Sequence, residues 1–138
     1  MIQRLQTIWL VLATAFNALT FRLPFYSGDW TRDATPLPVD LNAATTPWLT
    51  AVTAITGLLA LVTIFLYRNR KLQLKLCYLG IFLTLALLTI YFLEIPHFKT
   101  GNFALWALFY VAILGCFVLA LRGVLKDEKL IRSMDRLR

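Results

Sequence analysis

The sequence predicts an all-α, polytopic membrane protein in which four helices form a bundle. Three observations lead to this prediction: 59% of the 138 residues are apolar, only 15% are charged, and the apolar residues fall into four long runs. A soluble domain is typically about 45–50% apolar and about 25% charged. Because one membrane span needs about 20 apolar residues, four spans and their connections account for nearly the whole chain.

The predicted bundle covers residues 1–123, with spans at approximately 7–23, 47–67, 76–93 and 103–121. Residues 24–46 contain three prolines and lack helical periodicity, which predicts a loop on the outer side. The sequence leaves open whether Trp30 in this loop packs over the end of the bundle or lies in solvent. The other two connections, 68–75 and 94–102, are short enough to force antiparallel helical hairpins.

The basic residues predict the orientation of the bundle. Eleven of the 14 lie before the first span, between the second and third spans, or after the fourth. Since Lys and Arg in short loops are retained in the cytoplasm, both termini are predicted to be cytoplasmic. The basic residues are spread over three short segments rather than one aromatic-rich groove, so no nucleic-acid partner is predicted. Anionic lipid headgroups at the cytoplasmic face are the expected partner of this charge.

Polar and small residues within the spans predict how the helices pack. Asn17 lies near the middle of the first span, where an amide needs a hydrogen-bond partner and therefore faces the bundle interior. A stripe of small residues at helical spacing predicts a close packing face on span two, and span three carries a shorter stripe. Two alternatives are a substrate or ion contact by Asn17 and a water-filled path lined by threonines. The stripes comprise Thr46, Thr50, Thr53, Gly57 and Ala60 on span two, and Gly80 and Thr84 on span three.

A polar cluster surrounds the outer turn between spans three and four. Glu94, His97 and Lys99 lie close together in sequence, and Arg22 at the outer end of span one either pairs with Glu94 or extends to the interface. A carboxylate beside an imidazole suits a metal site or an acid–base pair. A zinc site, however, needs at least three protein ligands. The cluster is therefore predicted to be a polar turn at the membrane surface, without a metal or cofactor.

The last segment, residues 124–138, has the pattern of an amphipathic helix with apolar residues on one face and charges on the other. Three placements are open: a continuation of span four, a turn after Gly123 that lays the segment along the headgroups, or docking onto a cytoplasmic partner. The residues predicted to contact lipid or a partner are Lys126, Lys129, Leu130, Ile131, Arg132, Met134, Arg136 and Leu137.

Both ends of the chain carry a recognisable pattern, MIQRLQT over residues 1–7 and KDEKLIRSMDRLR over residues 126–138. With these ends and its four spans, the chain resembles a family of small inner-membrane proteins from Bacteroidetes that is classed as a domain of unknown function. The resemblance implies a bacterial inner-membrane location and no established activity. A family signature outside the membrane also indicates a shared cytoplasmic contact.

The functional prediction follows from the packing stripes and from the lack of a reactive constellation. We expect a non-enzymatic structural or accessory membrane protein, a subunit of a larger complex or a homo-oligomer, that acts through helix packing and tail contacts. One alternative is a small oligomeric transporter or channel, although a carboxylate at mid-membrane depth is missing from the spans. The other is an integral-membrane enzyme acting on lipids, for which only the Glu94, His97 and Lys99 turn offers suitable chemistry.

Overall fold

The computed structural model describes residues 2–30, 37–66 and 68–135. This part of the chain forms four α-helices, three short strands and one turn of 3₁₀ helix. The helices are α1 (Ile2–Leu19), α2 (Pro47–Phe65), α3 (Arg70–Glu94) and α4 (Ala107–Asp135). The strands are β1 (Tyr26–Trp30), β2 (Leu37–Leu41) and β3 (Phe98–Phe103), and the 3₁₀ turn is Ile95–His97.

The four helices form a closed bundle in which α1 contacts α2 and α4, and α3 contacts the same two helices from the other side. Three segments are long and apolar enough to cross a membrane: Pro47–Phe65, Arg70–His97 and Ala107–Met134. Three of the four predicted spans are thereby confirmed in length and hydropathy. The apolar part of α1, Leu5–Leu19, is shorter than these three.

Helix α1 ends at Leu19, four residues before the predicted end of span one. The backbone N–H groups of Arg22 and Leu23 both donate to the carbonyl oxygen of Leu19, at 3.0 and 2.9 Å, which closes the last turn. Pro24 follows at once, and a proline disfavours helical backbone in the residue before it. The apolar run therefore continues past the end of the helix.

Helices α3 and α4 also differ from the predicted boundaries. Most of the predicted connection 68–75 is helical, because α3 begins at Arg70, and α4 begins at Ala107 rather than at residue 103. At the start of α3, the i to i−4 hydrogen bonds of the helix extend beyond the apolar run into charged sequence. At the start of α4, the first apolar residues of the run belong to the end of β3 and to the turn that follows it. The apolar runs therefore misplace the ends of both helices.

The prediction of an all-α chain with a loop over residues 24–46 is wrong in one respect, because two strands lie in this segment. They form an antiparallel sheet in the order β2-β1-β3, in which β3 comes from the predicted turn 94–102. Tyr26 of β1 is opposite Leu41 of β2 and Phe103 of β3. The central strand is therefore held on both sides.

The sheet lies across one end of the bundle, which we call the sheet end. Its inner face carries Tyr26, Trp30 and Phe98, which are buried against Leu87, Tyr91 and other side chains of the helices. Ser27, Asp40 and Asn102 share the opposite face, because they occupy alternate positions on paired strands. Trp30 thus packs over the end of the bundle. The opposite end, which holds the start of α1, the α2–α3 connection and the end of α4, is called the terminal end.

Candidate functional site

A layer of buried polar side chains crosses the bundle beneath the sheet and takes residues from all four helical regions. We call it the polar layer. Its members are Asn17 of α1, Thr20 directly after α1, Thr53 of α2, Tyr91 of α3 and Tyr110 of α4, each at most 4% exposed. Burial of so many polar groups in an apolar bundle requires that they hydrogen-bond to one another or to a bound molecule.

Two tyrosines connect α3 and α4 to the end of α1. The Tyr91 hydroxyl donates to the Tyr110 hydroxyl at 3.2 Å. The Tyr110 hydroxyl lies 3.3 Å from the carbonyl oxygens of both Thr20 and Leu23, so its single proton is shared between two acceptors. The ring of Phe25 packs against both tyrosine rings, with centroids at 4.8 and 5.0 Å. The turn after α1 is thereby fixed to two other helices.

Asn17 meets the predicted stripe of α2 at Gly57. A Cβ atom on Gly57 would lie only 2.5 Å from Asn17 Oδ1, so the helices approach this closely only because the residue is glycine. Asn17 Nδ2 is buried and has no hydrogen-bond partner among the described residues. The same holds for Thr53 Oγ1, whose hydroxyl approaches that of Tyr91. The polar layer therefore contains two unused hydrogen-bonding groups.

The structure brings the rest of the predicted α2 stripe to the bundle interior. Thr46, Thr53 and Ala60 are buried, and Thr50 is half-buried. The Thr50 hydroxyl donates to the carbonyl oxygen of Ala43 at 2.9 Å, which ties the start of α2 to the segment after β2. The stripe thus contacts both α1 and the chain that leads down from the sheet.

The shorter stripe on α3 makes room for an aromatic ring of α4. A Cβ atom on Gly80 would collide with the ring of Phe117, which lies directly against the glycine. The buried hydroxyl of Thr84 donates to the carbonyl oxygen of Gly80 at 2.7 Å and is therefore satisfied within its own helix. Gly80 and Thr84 pack the α3–α4 contact.

The predicted polar turn forms a small surface pair. His97 Nδ1 lies 3.6 Å from Glu94 Oε2, with the imidazole exposed and the carboxylate partly buried. Lys99 is exposed on β3, and Arg22 is exposed in the turn after α1, so Glu94 pairs with His97 rather than with Arg22. Among residues 2–30, 37–66 and 68–135, no three His, Cys, Asp or Glu side chains come together as metal ligands would.

As far as residue 135, the structure shows which of the three predicted placements the segment after Gly123 adopts. Helix α4 continues unbroken through Gly123 to Asp135, so the tail extends the fourth helix. Glu128 and Arg132 form an exposed ion pair at 2.8 Å. Arg136 and Leu137 lie outside the described residues. The other predicted contact residues, Lys126, Lys129, Leu130, Ile131, Arg132 and Met134, are all exposed.

A buried hydrogen bond anchors the base of this extension to α1. Gln6 Nε2 donates to Asp127 Oδ2 at 2.7 Å, and both side chains are more than nine-tenths buried. One turn earlier on α4, a Cβ atom on Gly123 would lie 2.6 Å from Gln6 Cγ. Gly123 therefore allows α1 to pack closely against α4. The sequence alone also permitted a turn of the chain after this residue.

A family model described as Domain of unknown function (DUF4293) matches residues 2–137. The chain belongs to the DUF4293 family. Searches of curated proteins and of solved structures found no match to this DUF4293 chain.

Sequence reasoning missed the Gln6–Asp127 contact, although a signal for it is present in this DUF4293 chain. Gln6 lies on the same helical stripe as the buried Leu10, Ala13 and Asn17, and Asp127 continues the buried stripe that includes Val124. A polar residue in register with a buried stripe indicates a buried polar contact. The bond between Tyr91 and Tyr110 was missed because the two residues are on different helices and neither carries a charge.

Proposed function

We propose that this DUF4293 protein is a non-enzymatic accessory subunit of a membrane complex. In this proposal it crosses the bacterial inner membrane several times with both termini in the cytoplasm, and it contacts other subunits through the end of α4. The observation that supports the proposal is that α4 continues as a helix beyond Asp127, and residues 128–134 of this continuation are not buried. The protein thus presents an ordered surface outside its bundle.

The length of α4 supports a position of its end outside the hydrocarbon. The segment from Ala107 to Asp127 spans about 30 Å at 1.5 Å per residue, which equals the thickness of the hydrocarbon core. The residues that follow continue the same helix away from the bundle. An unbroken helix favours a partner beyond the headgroups over a segment lying along them.

The surface of the α4 end favours a protein partner with both apolar and acidic side chains. Leu130, Ile131 and Met134 are exposed on the same side as the buried stripe of α4, and Lys129 and Arg132 lie beside them. Apolar side chains in water favour contact with another apolar surface. The basic side chains would select an acidic partner and also approach anionic headgroups.

The charge distribution supports the orientation. Of the eleven basic residues predicted to be cytoplasmic, the nine that the structure describes belong to the terminal end of the bundle, whereas Arg22 and Lys99 belong to the sheet end. Because Lys and Arg are retained on the cytoplasmic side, this distribution supports an orientation with the sheet outside and the α4 end inside.

The test is purification of the tagged, full-length protein from its native membrane in mild detergent, followed by native mass determination. We expect a partner in stoichiometric amount. The variant Ile131→Asp/Met134→Asp should lose it, because two buried carboxylates would face an apolar contact. Ser133→Asp is the control, since it adds one of these two carboxylates to an exposed position on another side of the same helix.

Retention of the partner by the double variant would contradict a contact through the apolar face of the α4 end. Loss of the partner by Ser133→Asp as well would show that charge alone, rather than this face, controls the association. Absence of any stoichiometric partner would contradict the accessory proposal and favour the alternative below.

A small oligomeric transporter or channel is the second candidate, and one observation favours it. Asn17 Nδ2 and Thr53 Oγ1 are buried and unpartnered in the described part of the chain, and both belong to the polar layer. Such groups suit transient hydrogen bonds to a small neutral solute, although a close Asn17–Gly57 contact constricts this position. Solute flux into liposomes, abolished by Asn17→Leu, would support this candidate.

A further inference from the structure

We infer that β3 is a self-association surface, through which two copies of this chain pair edge to edge into one six-stranded sheet. β3 is an edge strand, because the sheet order is β2-β1-β3. Its residues from Lys99 to Phe103 are all exposed. An exposed strand edge presents unpaired backbone N–H and C=O groups, which readily add another strand.

Within the described part of the chain, the backbone hydrogen-bonding groups on the outer side of β3 have no partner. The N–H of Ala104 donates to the carbonyl oxygen of Phe25, so Ala104 faces β1. Since successive residues of a strand face opposite sides, Asn102 also faces β1, whereas Gly101 and Phe103 direct their N–H and C=O groups to the open edge. These groups are the ones that a second strand would use.

An antiparallel pairing of two β3 strands centred on Gly101 uses these groups in a self-complementary way. Gly101 of one copy then lies opposite Gly101 of the other, and Thr100 lies opposite Asn102. No two charged side chains face each other in this register, because Lys99 is the one charged residue of β3 and lies near the start of the strand, where the register against β1 shifts. Asn102 is opposite Ser27, and Thr100 Oγ1 donates to Asp29 Oδ2 at 3.1 Å, so the Thr100–Asn102 pairs lie on the face of the sheet that points away from the helices. Polar side chains pair across strands on such a face.

The position of the sheet makes this pairing compatible with a membrane. The two-fold axis of an antiparallel strand pair that meets at one central residue is perpendicular to the sheet. Because the sheet packs with one face on the ends of the helices, that axis runs along the bundle. Two copies related by it cross the membrane in the same direction, as copies of one protein must.

The other edge of the sheet is protected, so the association stops at two copies. β2 carries Pro38, which has no N–H to donate, and the exposed Asp40. Proline and charge are the usual means of blocking an edge strand. The partner on β3 is therefore a second β3, which gives a closed dimer. This inference is independent of the α4 end.

Disulfide formation in native membranes tests the register. Thr100→Cys and Asn102→Cys are placed in two copies of the full chain with different tags, and the membranes are treated with a mild oxidant. Directly opposed residues of this kind have Cα atoms about 4.5 Å apart, within disulfide range. The mixed pair should therefore crosslink about tenfold more than either variant alone. Asp40→Cys, on the same face at the other edge, is the matched control.

A charge exchange tests the same surface without a covalent bond. A copy with Thr100→Lys/Asn102→Lys should not capture a second copy of itself, because like charges then face each other twice. It should capture a copy with Thr100→Glu/Asn102→Glu. The Ile131→Asp/Met134→Asp variant should dimerise as the unchanged chain does.

The inference is overturned if the mixed cysteine pair crosslinks no more than the Asp40→Cys control. It is also overturned if the lysine copies still associate, or if the glutamate copy fails to restore association. A failure of the α4 contact alone leaves crosslinking unchanged, so the two proposals are tested separately.

Discussion

The side-chain amide of Gln6 donates a 2.7 Å hydrogen bond to the carboxylate of Asp127, across 121 positions of sequence. The bond joins the beginning of α1 to the last residue that is buried in the part of α4 up to residue 134. A carboxylate is costly to bury unless its oxygens accept hydrogen bonds. The pair therefore attaches α4 to α1 at the point where the exposed end of α4 begins. It is a buried polar contact, separate from the apolar core and from the exposed end of α4.

We expect Gln6→Leu to destabilise the protein by about 1–3 kcal/mol, because it leaves the buried Asp127 carboxylate without its donor. Asp127→Asn should cost less, since an amide oxygen still accepts from Gln6. The measurement is the free energy of unfolding in lipid bilayers or mild detergent. Glu128→Gln is the control, because it removes only a surface ion pair, worth less than about 1 kcal/mol. Equal losses for Gln6→Leu and Glu128→Gln would contradict the anchoring role.

The glycines of α3 and α4 allow a test of close helix packing. We expect Gly80→Ala to destabilise the bundle by about 1–3 kcal/mol, because the added methyl group overlaps the ring of Phe117. Gly115→Ala is the matched control on α4, where nothing lies within 4 Å of the added atom. There, alanine should stabilise the helix by up to about 1 kcal/mol. Both values come from reversible unfolding of the purified protein.

A second substitution identifies the cause of the loss. Phe117→Leu removes the ring that the Gly80→Ala methyl group meets, so the two substitutions together should cost less than the sum of their separate effects. Strict additivity would show that Gly80 is needed for a reason other than room for Phe117.

Much of the helical architecture could be predicted from the sequence, because a long apolar run has few stable forms in a membrane. The spans of α2, α3 and α4 follow directly from hydropathy. The position of Asn17 inside the bundle follows from the cost of an amide in hydrocarbon. The continuation of α4 as a straight helix after Gly123 could not be predicted from the sequence. The same amphipathic pattern fits a continuous helix and a helix that bends after Gly123. Its course depends on contact with Gln6, which is distant in sequence.

The sheet could not be predicted, because its strands are short and β3, which pairs with β1, is remote from it in sequence. β1 and β2 have five residues each, and they contain Gly28 and Pro38, which lower strand propensity. Two such strands alone are barely stable in water. The third strand, β3, begins 68 residues after Trp30 and pairs with β1 through an irregular register. Only the folded bundle brings these segments together.

The two buried tyrosine hydroxyls should contribute unequally to stability. Tyr110→Phe removes the bonds to the carbonyl oxygens of Thr20 and Leu23, and it also removes the acceptor of Tyr91. We expect a loss of about 1–3 kcal/mol, against about 0.5–1.5 kcal/mol for Tyr91→Phe, which removes one donor. The free energy of unfolding of each variant provides the comparison.

The Tyr78→Phe variant is the control for these measurements, because Tyr78 is 57% exposed and its hydroxyl lies outside the polar layer. The double variant Tyr91→Phe/Tyr110→Phe should lose less than the sum of the single losses, since both remove the same bond. A Tyr91→Phe loss larger than that of Tyr110→Phe would contradict the role of Tyr110 as the central donor.

Simultaneous replacement of Glu94, His97 and Lys99 by alanine tests whether the polar turn carries chemistry. The Glu94–His97 pair is at the surface, and Lys99 is exposed, so the triple variant should change the free energy of unfolding by less than about 1 kcal/mol. It should also recover the same co-purifying partner as the unchanged chain, because the proposed contact lies at the opposite end of α4. An accessory subunit requires none of these three groups, whereas an enzyme acting on lipids at this interface would require at least the Glu94–His97 pair. Loss of cellular function with unchanged stability and partner recovery would therefore favour the enzyme.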